Sequence, residues 1–270
     1  MMQAIRQAGP FPLDPRLRSV IWELSKREVV GRYRGMNFGV LWSLFQPFLM
    51  LAVYTLAFGE ILRARWPGAD STTSFALIIF IGLIVHGFLA ECLSKAPLLV
   101  VGNANYVKRI VFPLEILPWP VLLSGLFHFL TNTLVLLGAL VVIGKPIHAT
   151  VLLLPAIMLP LCLVAMGSMW LVASLAVYFR DLNQLIGPLV TALFFLSSAI
   201  VPLDAVPGAF RTLFYLNPVT MIVDAARAVI LAGAMPDWSG LGIYLAAAFA
   251  WMMFGYTVFT RLRKGFANVL

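Results

Sequence analysis

Long apolar runs alternate with short polar segments from one end of this chain to the other. The expected spans are Asn37–Gly59, Ser74–Val101, Pro113–Ile143, Thr150–Tyr178, Leu185–Val201 and Ser239–Thr260. A helix needs roughly 20 apolar residues to cross about 30 Å of hydrocarbon. The pattern therefore predicts an all-α integral membrane protein with six transmembrane helices. Pro47 predicts a kink in the first span, and His86, Glu91 and Lys95 predict that the second is bent or faces a polar cavity. Polar loops are expected at 60–70, 102–112 and 178–184, with a turn at Gly144–Pro146.

Two stretches depart from this rhythm. After an irregular tail over 1–13, Asp14 is an N-cap with Pro15 at the first helical position. Leu17, Val20, Ile21 and Leu24 share a face of the helix that follows, which reads as an amphipathic helix lying at the interface. Glu28 falls on that apolar stripe and Trp22 off it, so the pattern fades before Gly31. The other stretch, 202–238, is apolar but broken by Pro202, Pro207, Pro218 and Pro236, and it carries Asp204, Arg211, Asp224 and Arg227. Central charges and prolines exclude a simple span. Two short re-entrant helices, about 205–216 and 218–231, fit better. Asp224 and Arg227, three apart, are expected to pair on the second and mark an outer gate.

Composition agrees with the pattern: 61% of the 270 residues are hydrophobic, 11% are charged, and the mean hydropathy is +0.96. This leaves one membrane domain, 35–270, preceded by a tail and gate helix, 1–34, with no room for a soluble domain. The net charge of +8 is explained by topology rather than by nucleic acid. Fourteen of the nineteen Lys and Arg, among them Arg18, Lys26, Arg27, Arg32, Arg34, Lys108, Arg109 and Arg261, fall on the side of the two termini. Both termini are thus expected in the cytoplasm, a parity that six spans satisfy. No short apolar run with a small-residue cleavage site precedes the first span, so that span is expected to be retained.

Little in the chain points to catalysis. No GxxxxGK[ST] phosphate loop is present, and His86, His128 and His148 stand singly in sequence, each read as a packing residue. No carboxylates group on a common site, with Glu91 and Glu115 placed near the inner ends of different spans. Cys92 and Cys162 lie in apolar surroundings and form no metal or disulfide pattern. Gly31, Gly35 and Gly39 repeat at four-residue spacing but straddle the interface, which favours a turn over a helix-packing face. The aromatics Trp42, Phe45, Tyr54 and Phe58 on the first span, with Phe194 and Phe195 on the fifth, are candidates to line a sugar path, since ring faces stack on sugar C–H surfaces.

Four motifs in order, KREVVGRYRGMNFGVLWSLFQPFLMLAVYTLAFG from Lys26, YVKRIVFPLEILP from Tyr106, YFRDLNQ from Tyr178 and LNPVTMIVDAARAVI from Leu216, resemble the membrane subunit of ABC-2 type polysaccharide exporters. The resemblance covers nearly the whole chain. It implies the ABC-2 transporter fold, a homodimer in the bacterial inner membrane, and two copies of a separate ATPase that binds ATP and Mg, with no cofactor in this chain. It further implies an undecaprenyl-pyrophosphate-linked glycan as substrate, with the first helix and first span as a lateral gate. On these terms Arg27, Arg32, Tyr33 and Arg34 would hold the pyrophosphate, whose charge suits guanidinium forks. Asn103, Asn105, Tyr106, Lys108 and Arg109 would couple to the ATPase. The competing readings are an ABC-2 permease for a small amphipathic drug or lipid, a capsular or teichoic polymer in place of O-antigen, and a membrane enzyme acting on lipid-linked sugars. That last reading is weakened by the scatter of Asp14, Asp70, Asp181 and Asp237 over separate segments.

Overall fold

The computed structural model describes residues 14–57, 72–104 and 112–269. The expected tail, the 60–70 loop, Phe58, Asn105, Tyr106, Lys108 and Arg109 lie outside the described residues. Among the described residues the chain is all helical. Helix α1, Pro15–Tyr33, starts where the cap signal placed it, with the Asp14 carboxylate accepting from the Arg16 N–H at 2.8 Å. It runs past Gly31 to an Arg34 C-cap, and Gly35 and Gly39, with φ of +85° and +51°, turn the chain toward the membrane. Those positive angles suit glycine, so the glycine repeat serves a turn.

The first span is a 3₁₀ turn, Gly39–Leu41, leading into α2, Trp42–Tyr54, with Pro47 inside it. Next come α3, Thr72–Lys95, and the short α4, Leu98–Val101, separated at Pro97. Helix α5, Pro118–Val142, and helix α6, Leu154–Tyr178, follow, each entered through a 3₁₀ turn. The span Phe75–Lys95 is 72% buried and Gly39–Ala57 only 17%. Helix α3 is accordingly the centre of the bundle, packed on α2, α5 and α6, whereas α2 leans against α3 and α5 from outside.

The fifth segment is shorter than the sequence pattern predicts. Helix α7, Leu182–Phe195, has 14 residues, about 21 Å at 1.5 Å per residue and too short to cross alone. The non-helical turn after it is buried at Ser197, Ser198 and Ala199. Then come α8, Gly208–Leu216, and α9, Thr220–Arg227, the latter prolonged by a π turn to Ala232. The two are bent by 87° at the Asn217–Pro218 break, the geometry of a broken span or a re-entrant loop. Helix α10, Trp238–Leu262, and the short α11, Phe266–Val269, complete the chain. Among the described residues, five helical stretches are long and apolar enough to cross a membrane, or six if the bent pair is taken as one.

Helices α6 and α10 form the tightest pair. A Cβ on Gly255 would lie 2.1 Å from the Gly167 carbonyl oxygen, so only glycine permits this backbone approach, the usual device where hydrocarbon offers no hydrophobic drive for helix association. At one end of the pair, Glu115 is ion-paired to Arg263, the Trp170 indole N–H donates to the Glu115 carbonyl at 3.0 Å, and Tyr178 donates to the Leu262 carbonyl at 3.0 Å.

Candidate functional site

Helix α1 docks on the bundle through charge as well as through its apolar stripe. Ile21, Ser25 and Tyr33 are its buried residues, while Val20 and Trp22 are exposed. The packed face is therefore turned from the stripe expected at Leu17, Val20, Ile21 and Leu24, and it includes Glu28. The reason lies on α3. Lys95 Nζ donates to Glu28 Oε1 at 2.6 Å, and Arg32 Nη2 donates to Glu91 Oε1 at 2.8 Å. Glu28 and Arg32 are one helical turn apart on α1, and Glu91 and Lys95 one turn apart on α3. The two pairs match as a two-rung ladder.

Glu91 is the hub of this cluster. Its Oε1 also accepts from Lys95 Nζ at 3.0 Å and Ser124 Oγ at 3.4 Å, and its Oε2 accepts from His128 Nδ1 at 2.8 Å. A carboxylate can only accept, so the ring proton belongs on Nδ1, and Nε2 presents its lone pair to the Tyr33 hydroxyl at 3.0 Å. Arg32 Nη1 packs against the same ring, 3.1 Å from Nδ1 and 3.4 Å from Nε2. Burial pushes the Tyr33 phenol up, with Arg32 beside it pulling the other way. Glu28 and Glu91 balance Arg32 and Lys95. Lys95 thus joins two carboxylates that looked unrelated in sequence, and His128 is a member of the cluster rather than a solitary packing residue.

The cluster closes one side of a 340 Å³ cavity between α1, α2, α3 and α5, lined further by Gln46, Tyr54, Gly87, Phe88 and Asn132. His128 sits ten residues into α5, about 15 Å along its axis, while Glu91 and Lys95 lie at the C-terminal end of α3. Ionisable groups in or beside apolar spans face bundle interiors or wet cavities and mark pathways.

The other proposed site residues fall in different places. Of the four phosphate candidates, Arg32 and Tyr33 join the cavity, while Arg27 and Arg34 are exposed away from it. Trp42 and Phe45 stack edge to face at 5.0 Å and line an 830 Å³ groove with Phe38, Phe48 and Leu134 on the outside of α2. Tyr54 faces the Arg32 cavity instead. Phe194 packs on His86, ring centroids 4.8 Å apart, and against Phe195, which is exposed. The aromatic set is thus divided into three locations within one chain. Asn103 donates from Nδ2 to the Leu99 carbonyl at 3.0 Å, one turn back.

Asp224 and Arg227 approach to 3.5 Å as their spacing predicts, but the guanidinium does more. It donates to the Ile78 carbonyl from Nε and Nη2 at 3.1 and 3.0 Å, to Ser198 at 2.6 Å and to Ala199 at 2.9 Å. Asn217 Nδ2 donates to the Leu193 and Leu196 carbonyls at 2.8 and 2.9 Å. All but Ile78, which lies within α3, are backbone acceptors at and beyond the end of α7, which an α-helix leaves without partners. Two side chains on the bent pair therefore satisfy the non-helical backbone that lets the fifth segment stop short.

Sequence reasoning passed over Glu28, placed Glu91 and Lys95 toward a polar cavity without joining them to Arg32, and missed the roles of Ser124, His128 and Asn217. A signal for the first three existed in complementary i,i+4 pairs, Glu28 with Arg32 and Glu91 with Lys95. For Ser124, His128 and Asn217 there was none.

The ABC-2 type transporter family profile matches residues 19–231. The chain is similar to the O-antigen export system permease protein RfbA of Myxococcus xanthus, 24% identical over 253 residues covering 93% of this chain and 95% of that protein. It is also similar to the protein of the same name in Klebsiella pneumoniae, 24% identical over 249 residues covering 92% and 93%. The polysialic acid transport protein KpsM of Escherichia coli is 23% identical over 224 residues, covering 82% of this chain and 84% of that protein.

Proposed function

Since this chain belongs to the ABC-2 type transporter family, we propose that it is the permease subunit of an ATP-driven exporter carrying an undecaprenyl-pyrophosphate-linked, O-antigen-like polysaccharide across the inner membrane. The observation that carries the reading is the similarity to permeases named for O-antigen export, which runs over nine-tenths of both chains. The Arg32 cavity supports it, because it sets a cation and hydrogen-bonding side chains behind a helix at the edge of the bundle, where an anionic lipid head could enter sideways.

In this reading the permease works as a homodimer with two copies of an ATPase, which binds ATP and Mg²⁺. The ends rich in Lys and Arg face the cytoplasm. The pyrophosphate enters between α1 and the bundle and meets Arg32 and Tyr33. The glycan follows a path to which Trp42, Phe45, Tyr54, Phe58, Phe194 and Phe195 contribute from both copies. The loop 102–112 takes the ATPase stroke, and the bent pair α8–α9, held by Arg227, closes the outer end.

Deletion of the gene, followed by a surface-polysaccharide gel, tests this. The expected result is loss of surface polymer with accumulation inside the cell, restored by the wild-type gene. Retained surface polymer without internal accumulation would overturn the reading. A second reading, export of a capsular polymer, is favoured by the similarity to the polysialic acid transport protein. It predicts loss of capsule with an unchanged O-antigen ladder on the same gel.

A further inference from the structure

We propose that Glu91 is an internal counter-anion: it occupies the anion-binding face of Arg32 in the resting permease, and an incoming lipid phosphate opens α1 by taking its place. This rests on the lipid-linked reading above and adds to it a mechanism of admission.

The structure poses a problem for any simple arginine clamp. Glu28 and Glu91 already neutralise Lys95 and Arg32, so the cluster has no surplus positive charge to offer a phosphate as it stands. One of its contacts must therefore exchange, and the geometry singles out which. When Arg32 departs, Glu91 keeps Lys95, Ser124 and His128 as donors, so no buried carboxylate is orphaned. His128, its side chain only 12% exposed, has little route to solvent, and Lys95 at 27% also holds Glu28 on α1, so losing either would cost the cluster more. Arg32 is also the accessible member, its side chain 40% exposed against 11% for Glu91. The guanidinium can thus turn to a phosphate, a bidentate partner with more charge than a carboxylate, at small cost to the cluster it leaves.

The ladder then sets the direction of movement. Breaking the Arg32–Glu91 rung leaves the Glu28–Lys95 rung one turn away, so α1 stays tethered at Glu28 while its Tyr33 end swings out, taking the Tyr33 hydroxyl off His128 Nε2 as well. The chain beyond that end is the turn at Gly35 and Gly39. The movement would widen the cavity beside Gln46 and Asn132, which is where a headgroup must pass.

The test uses the full chain in lipid nanodiscs with farnesyl pyrophosphate as probe, which carries the lipid phosphate and no sugar. Titration should show Glu91→Gln binding about tenfold tighter than wild type, the effect of removing one charged competitor, and Arg32→Ala binding at least about tenfold weaker. Amide hydrogen exchange over residues 28–34 should rise in Glu91→Gln without ligand, and in wild type on adding farnesyl pyrophosphate. Equal or weaker binding by Glu91→Gln at an unchanged melting temperature would overturn the proposal, as would exchange over 28–34 that no variant and no ligand alters. If Glu91→Gln fails to fold, Glu91→Asp, which keeps the charge but shortens the reach to Arg32, should give a smaller gain in affinity; no gain would overturn the proposal equally. Inorganic pyrophosphate competing as well as farnesyl pyrophosphate would support the exchange and assign recognition to the phosphate alone. Because the probe has no glycan, a failed polysaccharide gel with these shifts intact would sink the export reading and leave the Glu91 exchange standing. No binding of either probe would do the reverse.

Discussion

Two arginines hold this molecule together in opposite ways. Arg227 spends its donors on three backbone carbonyls that cannot move without unfolding the end of α7 or the start of α3. Arg32 spends a donor on a carboxylate that has other partners and packs against an imidazole already bonded to Glu91 and Tyr33. The first arrangement is a staple, the second a latch. A buried guanidinium on main-chain acceptors replaces hydrogen bonds that a helix would have made, whereas one on side chains can exchange ligands without disturbing the backbone. The stapled end is thus fixed by its backbone contacts, and the latched end is where the proposed exchange would act.

The comparison is sharpest at Arg227. Arg227→Ala would strand the Ser198 and Ala199 carbonyls in an apolar setting, while Ile78 keeps its partner within α3, and should lower unfolding stability by about 3 kcal/mol, measured by SDS titration of the purified chain. Arg227→Lys should recover less than half, because one ammonium cannot fork across acceptors on two segments. Asn217→Ala, which strands two carbonyls, should cost about 2 kcal/mol in the same titration. A small loss for both would mean that the short fifth segment does not depend on the staple. At the latch, Arg32→Ala should cost no more than about 1 kcal/mol, since its side chain is 40% exposed and solvent screens the pair. The double change Arg32→Ala with Arg34→Ala should nonetheless abolish surface polymer at normal protein abundance. Wild-type export in that variant would remove the phosphate role from α1.

The smallest effect concerns Asp237, the N-cap of α10. The Ser239 hydroxyl, followed by the Gly240 N–H, holds its carboxyl below the usual carboxylate range. A depressed folded value means the contribution is complete above the ordinary carboxylate range, near pH 4, and disappears as pH falls through the lower folded value. Asp237→Asn should remove that contribution, so the melting temperature falls slightly at neutral pH, least in acid, and the acid side of the curve flattens.

Much of the fold was legible from the order of residues. Pro15 after Asp14 started α1, and Pro218 beside Asn217 broke the bent pair where expected. Gly35 and Gly39 made a turn. The fifth segment was misjudged because apolar length alone cannot distinguish a helix that crosses from one that stops and is finished by Asn217 and Arg227. The site was less legible. Arg32 and Tyr33 stood out as charge and aromatic against hydrocarbon, but Glu91 looked like an isolated acid at a helix end, and His128 like any other histidine.

By itself the sequence determined every span but the fifth, the breaks and caps, and the family, because apolar run length, proline and capping residues act on their own neighbours. Only the tertiary structure decided which charges meet. Arg32 lies 59 residues from Glu91 and 96 from His128, and Arg227 lies 149 from Ile78. A charge in an apolar span must find a partner, but the chain carries no local mark of which partner it finds. That depends on how α1, α3 and α5 pack, and it is what makes one arginine a latch and the other a staple.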